Sequence, residues 1–377
     1  MSDPISLAQP TFGEEEVEAL RAVLASGWVA GQGPRGAELE ARFAEMCGVG
    51  HAVATTNCTA ALHLALLAHG VGAGDEVIVA DYTYPATGHA VLYTGADPVF
   101  VDVRPDTWTI DPEAVRAAIC SRTVGIIAVD AFGQCADYTP LREIADRHDL
   151  FLVEDAACSA GATYRGEPAG SLADAACFSL HARKGVTTGE GGMLVTNDPA
   201  VAASARSLSC FGIEDAHARA AADELAVPVF EALGFNYKLS DLLAAIGLVQ
   251  LDRLPGLLET RRAIAASYGR SLGGVSGLTT PVTADDRDHT WQSYVLTLDE
   301  GISRDRVAQR LRAGGVEVNI GTFASHLQPV YGERPPCVVS ASLYARHLAI
   351  PMHANLTATD VERVSSLVGD VVDGARE

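Results

Sequence analysis

Three observations predict an α/β fold. Between His51 and Asn197, short runs rich in Val, Ile, Leu and Ala alternate with segments of helical spacing. Polar residues able to hold a ligand stand where those runs end. After Leu254 the texture shifts to a long helical stretch followed by interleaved strands and helices. The first two observations imply a mainly parallel central sheet flanked by helices, with ligands at the carboxyl ends of its strands. The third implies a smaller α+β C-terminal domain, so the expected division is residues 1–254 and 255–377.

Taken in order, Glu14 to Leu24 places Val17, Leu20, Val23 and Leu24 at helical spacing and ends at Ser26-Gly27. The next segment, Gly31-Gln-Gly33-Pro-Arg-Gly36, formally matches G-x-G-x-x-G. A dinucleotide site needs a strand just before it and an acid about twenty residues later. Neither is present, so the segment reads as a loop. A strand over AVATT (52–56) then leads through Asn57-Cys58-Thr59 into an apolar helix, AALHLALLAH (60–69), stopped by Gly70. Free backbone N–H groups at such a turn suit a phosphate. A plain N-cap by Asn57 accounts for the turn equally well.

EVIVAD (76–81), PVFVDV (98–103), VGIIAVD (124–130), LFLVED (150–155), AACFSL (175–180) and GMLVTN (192–197) read as further strands. Asp111 followed by Pro112 marks a helix start between them. Beyond Leu254, PGLLETRRAIAASYGRSL reads as a helix ending at Gly273-Gly274. A strand SYVLTL, a helix over 304–312, a strand VEVNIG and a closing helix bearing Val361, Val364, Leu367 and Val368 complete the chain.

The net charge of −21 argues against nucleic acid or an anionic membrane as a general partner. An anionic small molecule remains compatible, given a locally positive pocket. The eight cysteines are scattered, with no C-x-x-C pair, which points to reduced thiols and a cytoplasmic protein and gives no metal site. No signal peptide is read at the N-terminus, and no apolar run approaches the ~18 residues of a membrane span.

The chemistry centres on Phe178–Met193. Of 27 basic residues only Lys184 and Lys238 are lysines, and the other 25 are arginines. Arginine stays protonated, whereas a lysine amine can lose its proton and act as a nucleophile. Lys184 lies five residues beyond Ser179, which ends one predicted strand, and before Gly189-Glu190-Gly191-Gly192. Asp155 ends another strand, and Tyr84 follows a third. Pyridoxal phosphate asks for such parts: an amine, a carboxylate to keep the pyridine nitrogen protonated, a phosphate cradle and an aromatic plane over the ring.

These residues sit in segments that together resemble the DegT/DnrJ/StrS family of pyridoxal phosphate-dependent sugar aminotransferases, a fold-type I group. The segments are SGWVAGQGP, TNCTAALHLALLAHGVGAGDEVI, DYTYPAT, VDAFGQCAD, VEDAACSAGATY, CFSLHARKGVTTGEGGM, GFNYKLSDLLAAIGLVQLDRL, HLQPVY and IPMHANLT, and they span nearly the whole chain. The resemblance implies that Lys184 forms the internal aldimine, that Asp155 pairs with the pyridine nitrogen and that Tyr84 stacks on the ring. Ser179 and the amides of Cys58 and Thr59 match its phosphate ligands. Cys158 stands near the cofactor's hydroxyl, where the family usually has Gln or His. His181, Trp28 and His326 fall at substrate-side positions.

The resemblance also implies a homodimer with shared sites, in which Asn236 and Lys238 reach the neighbour's cofactor. Lys238 replaces the family's usual Arg, and pairing with Asp241 on its own surface is the alternative for it. The implied reaction converts a keto-sugar, nucleotide-diphosphate-linked, to an amino sugar with glutamate or glutamine as donor. A cyclitol ketone as acceptor stays open, as does a cofactor-binding regulator. Family dehydratases carry His at the lysine position, which Lys184 argues against. Pocket shape is expected to depend on the loops at 28–36 and 209–233.

Overall fold

The computed structural model describes residues 4–213, 227 and 229–375. Its principal sheet has seven strands: β1 (His51–Thr55), β2 (Glu76–Ala80), β3 (Asp97–Val101), β4 (Thr123–Val129), β5 (Phe151–Asp155), β6 (Ala175–Ser179) and β7 (Gly192–Thr196). Their spatial order is β1-β7-β6-β5-β4-β2-β3. The pairs β3–β2, β2–β4, β4–β5 and β5–β6 are parallel, while β7 runs antiparallel to both β6 and β1. Six strands therefore point one way and β7 alone is reversed. Burial on both faces explains the near-continuous apolar composition, as in Val77-Ile78-Val79-Ala80.

Helices cover both faces. Within residues 4–213 they are α1 (Glu14–Ser26), α2 (Pro34–Cys47), α3 (Cys58–Ala68), α4 (Ala86–Thr94), α5 (Pro112–Ala118), α6 (Tyr138–His148) and α7 (Pro199–Ser209). In α3 every residue from Ala60 to Leu66 is buried, so this helix is apolar all round. Its N-terminus is fixed by Asn57, whose side chain accepts from the Ala60 amide at 2.9 Å.

The segment expected to be a loop at 31–36 contains the start of α2. Gly33 is its N-cap, and the Asp241 carboxylate accepts from the amides of Arg35 and Gly36 at 3.1 and 2.9 Å. A Cβ on Gly33 would lie 2.2 Å from both Asp241 and Trp28, so this glycine serves close packing.

Helix α8 (Asp241–Leu272) is continuous for 32 residues, through Pro255. Ala244, Leu248, Leu251, Leu254 and Leu258 pack on the principal core. Ile264, Ala265, Tyr268 and Leu272 belong to a second core. The division expected after Leu254 thus falls inside one helix. The second core is built on a four-stranded antiparallel sheet of β8 (Leu278–Thr279), β9 (Tyr294–Leu298), β10 (Asn319–Ile320) and β11 (His347–Ile350), in the order β8-β9-β11-β10. Helices α9 (Arg304–Ala313) and α11 (Ala358–Asp373) cover it, and α10 (Val338–Arg346) packs at the principal core. Ile5, from the N-terminal arm, joins the second core and bonds Gly315 and Glu317 through its backbone at 2.8 and 2.9 Å.

Candidate active site

The carboxyl ends of β2, β4, β5 and β6 converge on a cavity of about 760 Å³, the place where parallel sheets present ligand sites. Asp155 at the end of β5, Ser179 at the end of β6, Tyr84, Cys158, His181 and Lys184 all line it. So do Cys58 and Thr59 at the N-terminus of α3. Leu7 and Ala8 of the N-terminal arm contribute to the wall.

Asp155 is buried. Its Oδ2 accepts from the Thr87 hydroxyl at 2.7 Å, and its Oδ1 accepts from the Ala157 amide at 3.2 Å. Burial raises the carboxyl above its ordinary range, with Thr87, Ala157 and the Lys184 charge pulling against that rise. A second cation facing Asp155 from the cavity would favour the ionised form further. A protonated pyridine nitrogen is such a cation.

Lys184 Nζ donates to Cys158 Sγ at 3.1 Å. Burial lowers the ammonium's pKa, but Cys158, Cys58 and Asp155 outweigh it and hold the group above its ordinary value. The loop carrying Lys184 is a closed turn, with its amide bonded to the His181 carbonyl at 2.9 Å. The ring of His181 stands 3.8 Å from the Glu190 carboxylate at the cavity's rim.

A phosphate fits at the N-terminus of α3. The first-turn amides of α3 at Cys58 and Thr59 have no intrahelical acceptor and carry the positive end of the helix dipole. The Ser179 hydroxyl lies on the strand next to Gly192, and both Ser179 and Asn57 line the cavity. A Cβ on Gly192 would fall 2.4 Å from the Asn57 carbonyl carbon and 2.6 Å from the Cys58 nitrogen. Only glycine there lets β7 pass beneath this turn. Amine, buried carboxylate, neutral phosphate donors and Tyr84 at one cavity match the donor set that pyridoxal phosphate needs.

Four of the expected site residues lie elsewhere in the chain's own fold. His326 does not line the cavity: its Nδ1 and backbone amide engage the buried Asp81 carboxylate at 2.7 and 2.6 Å. Trp28 is half exposed beside Gly33. Asn236 and Lys238 flank Tyr237, whose carbonyl accepts from the Thr56 amide at 2.7 Å, so this stretch pairs with the end of β1. Lys238 Nζ donates to Asn236 Oδ1 at 2.6 Å and sits 4.6 Å over the Phe211 ring. Pairing of Lys238 with Asp241 is not observed, since Asp241 caps α2. Part of the loop at 209–233 lies outside the described residues.

Sequence reading missed several supports. Thr87, three residues after Tyr84 in DYTYPAT, fixes Asp155. Thr290 Oγ1 donates to the Cys158 carbonyl at 2.8 Å, and Gln292 Nε2 donates to the Arg183 carbonyl at 3.1 Å. Arg261, buried in α8, in turn holds the carbonyls of Trp291 and Gln292 at 3.0 and 3.2 Å. Asp130 at the end of β4 forms a buried pair with Glu154. No local signal announces these contacts except the polar residues within apolar strand ends.

Among the described residues, no helix is long and apolar enough to cross a membrane. Comparison with known proteins agrees with the geometry. The GDP-perosamine synthase of Caulobacter vibrioides is 39% identical over 373 residues, covering 98% of this chain and 98% of that protein. The spore coat polysaccharide biosynthesis protein SpsC of Bacillus subtilis is 38% identical over 385 residues, 99% of this chain and 97% of its own. The crystal structure of DesI in the presence of its TDP-sugar product superposes with a TM-score of 0.91 at 35% identity, covering 100% of this chain and 95% of that one. A sequence model of the DegT/DnrJ/EryC1/StrS aminotransferase family matches residues 10–369. The chain belongs to that family and is a pyridoxal phosphate-dependent aminotransferase of fold type I.

Proposed function

We propose that the protein transfers an amino group from glutamate or glutamine to a keto-sugar linked to a nucleoside diphosphate. The observation that carries the reading is the placement of Lys184, Asp155 and the α3 N-terminus around one cavity, with room beyond them for a substrate larger than the cofactor. The relatives support the acceptor class: one is a GDP-perosamine synthase and another was crystallised with a TDP-sugar. We further propose residues 1–254 as the cofactor-binding unit, 255–377 as the smaller unit, and a homodimer as the working form, in the cytoplasm.

When bound, pyridoxal phosphate supplies the carbonyl that takes up the amino group and the ring that accepts electrons released at the substrate's C–H bond. The protein's part is to hold, orient and move protons. Cys58, Thr59 and Ser179 bind the phosphate, and Tyr84 covers one face of the ring. Asp155, steadied by Thr87, keeps a proton on the pyridine nitrogen. Lys184 holds the cofactor between turnovers. Its Nζ, when free, would take the proton from the donor's α-carbon. In the second half-reaction it returns a proton to the carbon of the sugar that bears the new nitrogen, which is general acid–base work at short range.

The test uses the protein loaded with pyridoxamine phosphate. Nucleotide-linked keto-sugars and cyclitol ketones are added singly, and the return of the pyridoxal form's visible absorbance is followed. Recovery with a nucleotide keto-sugar is expected. Recovery with a cyclitol ketone alone would transfer the assignment to that acceptor class.

A further inference from the structure

Arg183 precedes the catalytic lysine, lines the same cavity and is exposed to solvent. Its backbone is fixed from both directions. Its amide donates to the His181 ring at 3.3 Å, and its carbonyl accepts from Gln292 at 3.1 Å, with Arg261 behind Gln292. Among the described residues its guanidinium meets no carboxylate within ion-pair distance. Elsewhere among the described residues, arginines such as Arg42, Arg206 and Arg334 pair with carboxylates.

The other charges at the cavity are accounted for. Lys184 is committed to the cofactor and Asp155 to its ring nitrogen. Asp130 accepts from the Ala136 amide, the Tyr138 hydroxyl and the Ser159 hydroxyl at 2.9, 2.9 and 2.6 Å. Glu190 lies at the rim beside His181. Among the described residues lining the cavity, Arg183 is therefore the permanent cation that the cofactor does not use. A multiply charged anion entering a protein of charge −21 needs such a group. Guanidinium suits phosphate oxygens because it can offer two parallel N–H bonds.

We propose that Arg183 binds the diphosphate of the nucleotide-linked sugar. The inference rests on the nucleotide-sugar reading of the acceptor. Position separates this role from binding of the amino donor. A reacting sugar carbon sits at Lys184 on the cavity floor, and the diphosphate, on the far side of the sugar ring, points toward the mouth where Arg183 stands. The donor's α-carboxylate belongs beside the floor. Gln292 and Arg261 hold Arg183 in place without touching the ligand.

Equilibrium binding of UDP, GDP and TDP to the cofactor-loaded enzyme tests this, with wild type compared with Arg183→Gln and Arg183→Lys. At least one nucleotide should bind wild type. Arg183→Gln should weaken it tenfold or more, with Arg183→Lys intermediate because it keeps charge but loses the bidentate fork. Folding of each variant is checked by thermal melting, and Arg183→Lys keeps the test valid should Arg183→Gln melt early. If wild type binds a nucleotide and both variants bind it equally, the Arg183 assignment is wrong while the acceptor reading stands. If wild type binds none of the three, the acceptor reading falls and takes the assignment with it. A tenfold rise in KM for glutamate with unchanged nucleotide binding would likewise overturn it, placing the donor's carboxylate on Arg183.

Discussion

Lys184 Nζ and Cys158 Sγ lie 3.1 Å apart, so the amine proposed to do the chemistry donates to a thiol. Sulfur accepts a hydrogen bond weakly, so an oxygen acceptor of similar size can replace it. A serine hydroxyl at 158 supplies one. Cys158→Ser is expected to keep kcat/KM within about tenfold, or about 1.4 kcal/mol. The Thr290 contact survives because it uses the carbonyl of residue 158. A loss of several orders of magnitude in steady-state assays would show that the thiol itself takes part.

Covalent trapping tests Lys184. Borohydride reduction of the loaded enzyme should attach the cofactor to Lys184 and leave Lys238 unlabelled, as read by peptide mass spectrometry. Lys184→Ala should lose turnover. Lys184→Arg should do no better, because a guanidinium keeps the charge but cannot act as the amine. Label on Lys238 would overturn the assignment.

Thr87 and Asp155 give a pH prediction. The Thr87 hydroxyl donates to the Asp155 carboxylate and so favours its ionised form. Thr87→Val removes that bond and raises the Asp155 pKa, and the proposed role of Asp155 needs its ionised form. The acid limb of the kcat profile should therefore move to higher pH, with a two- to tenfold loss on that limb (about 0.4 to 1.4 kcal/mol). An acid limb that stays where it is in wild type would sink this role for Thr87.

Much of this arrangement was legible in the sequence, and the rest was not, for identifiable reasons. The strands stood out because burial on both faces leaves runs such as Ile126-Ile127-Ala128 with no polar residue. The reversal of β7 was invisible, since the two-residue side-chain period is the same in either direction. The start of α2 was hidden because Pro34-Arg-Gly36 has turn composition, and the residue that secures it, Asp241, is about two hundred positions away. Continuity of α8 through Pro255 depends on packing against two cores at once, which a local pattern does not report. His326 shows the opposite problem. A polar residue in a motif suggested a ligand, but the buried Asp81 takes its ring.

Glu154 and Asp130 predict how stability varies with pH. Both are fully buried, and Glu154 also accepts from the Gly170 amide. Burial and the neighbouring Asp130 charge push the Glu154 carboxyl well above its ordinary 4.5, so it is the protonated member that donates to Asp130. A folded-state pKa raised in this way contributes stability that is full below about pH 4.5. That contribution erodes as pH rises toward the folded value. Glu154→Gln keeps a donor for Asp130 and an acceptor for Gly170 but does not titrate. Its melting temperature relative to wild type should therefore rise between about pH 5 and about pH 8. Parallel melting profiles across that range would falsify the protonated assignment.

The last prediction concerns Asn236 and Lys238. In their own subunit they are bonded to each other and lie outside the cavity. The phosphate donors proposed within the subunit, at Cys58, Thr59 and Ser179, are neutral, so a phosphate dianion there would gain from a cation. Around the 234–238 stretch Phe211, Val229, Phe230 and Leu233 are exposed, an apolar surface that a second copy of the chain would cover. Docked on such a neighbour, Lys238 would exchange Asn236 Oδ1 for the phosphate, and the freed Asn236 amide would add a neutral donor. Subunit mixing reads this directly. Lys184→Ala subunits and Asn236→Ala/Lys238→Ala subunits should each be weak alone. In a hybrid dimer the first contributes intact Asn236 and Lys238 and the second contributes intact Lys184, so one of the two sites is rebuilt if the stretch acts across the interface. Co-expression should then restore activity in proportion to the hybrid fraction measured by native mass spectrometry. Hybrid dimers that form but stay as weak as their parents would mean that each subunit completes its own phosphate site.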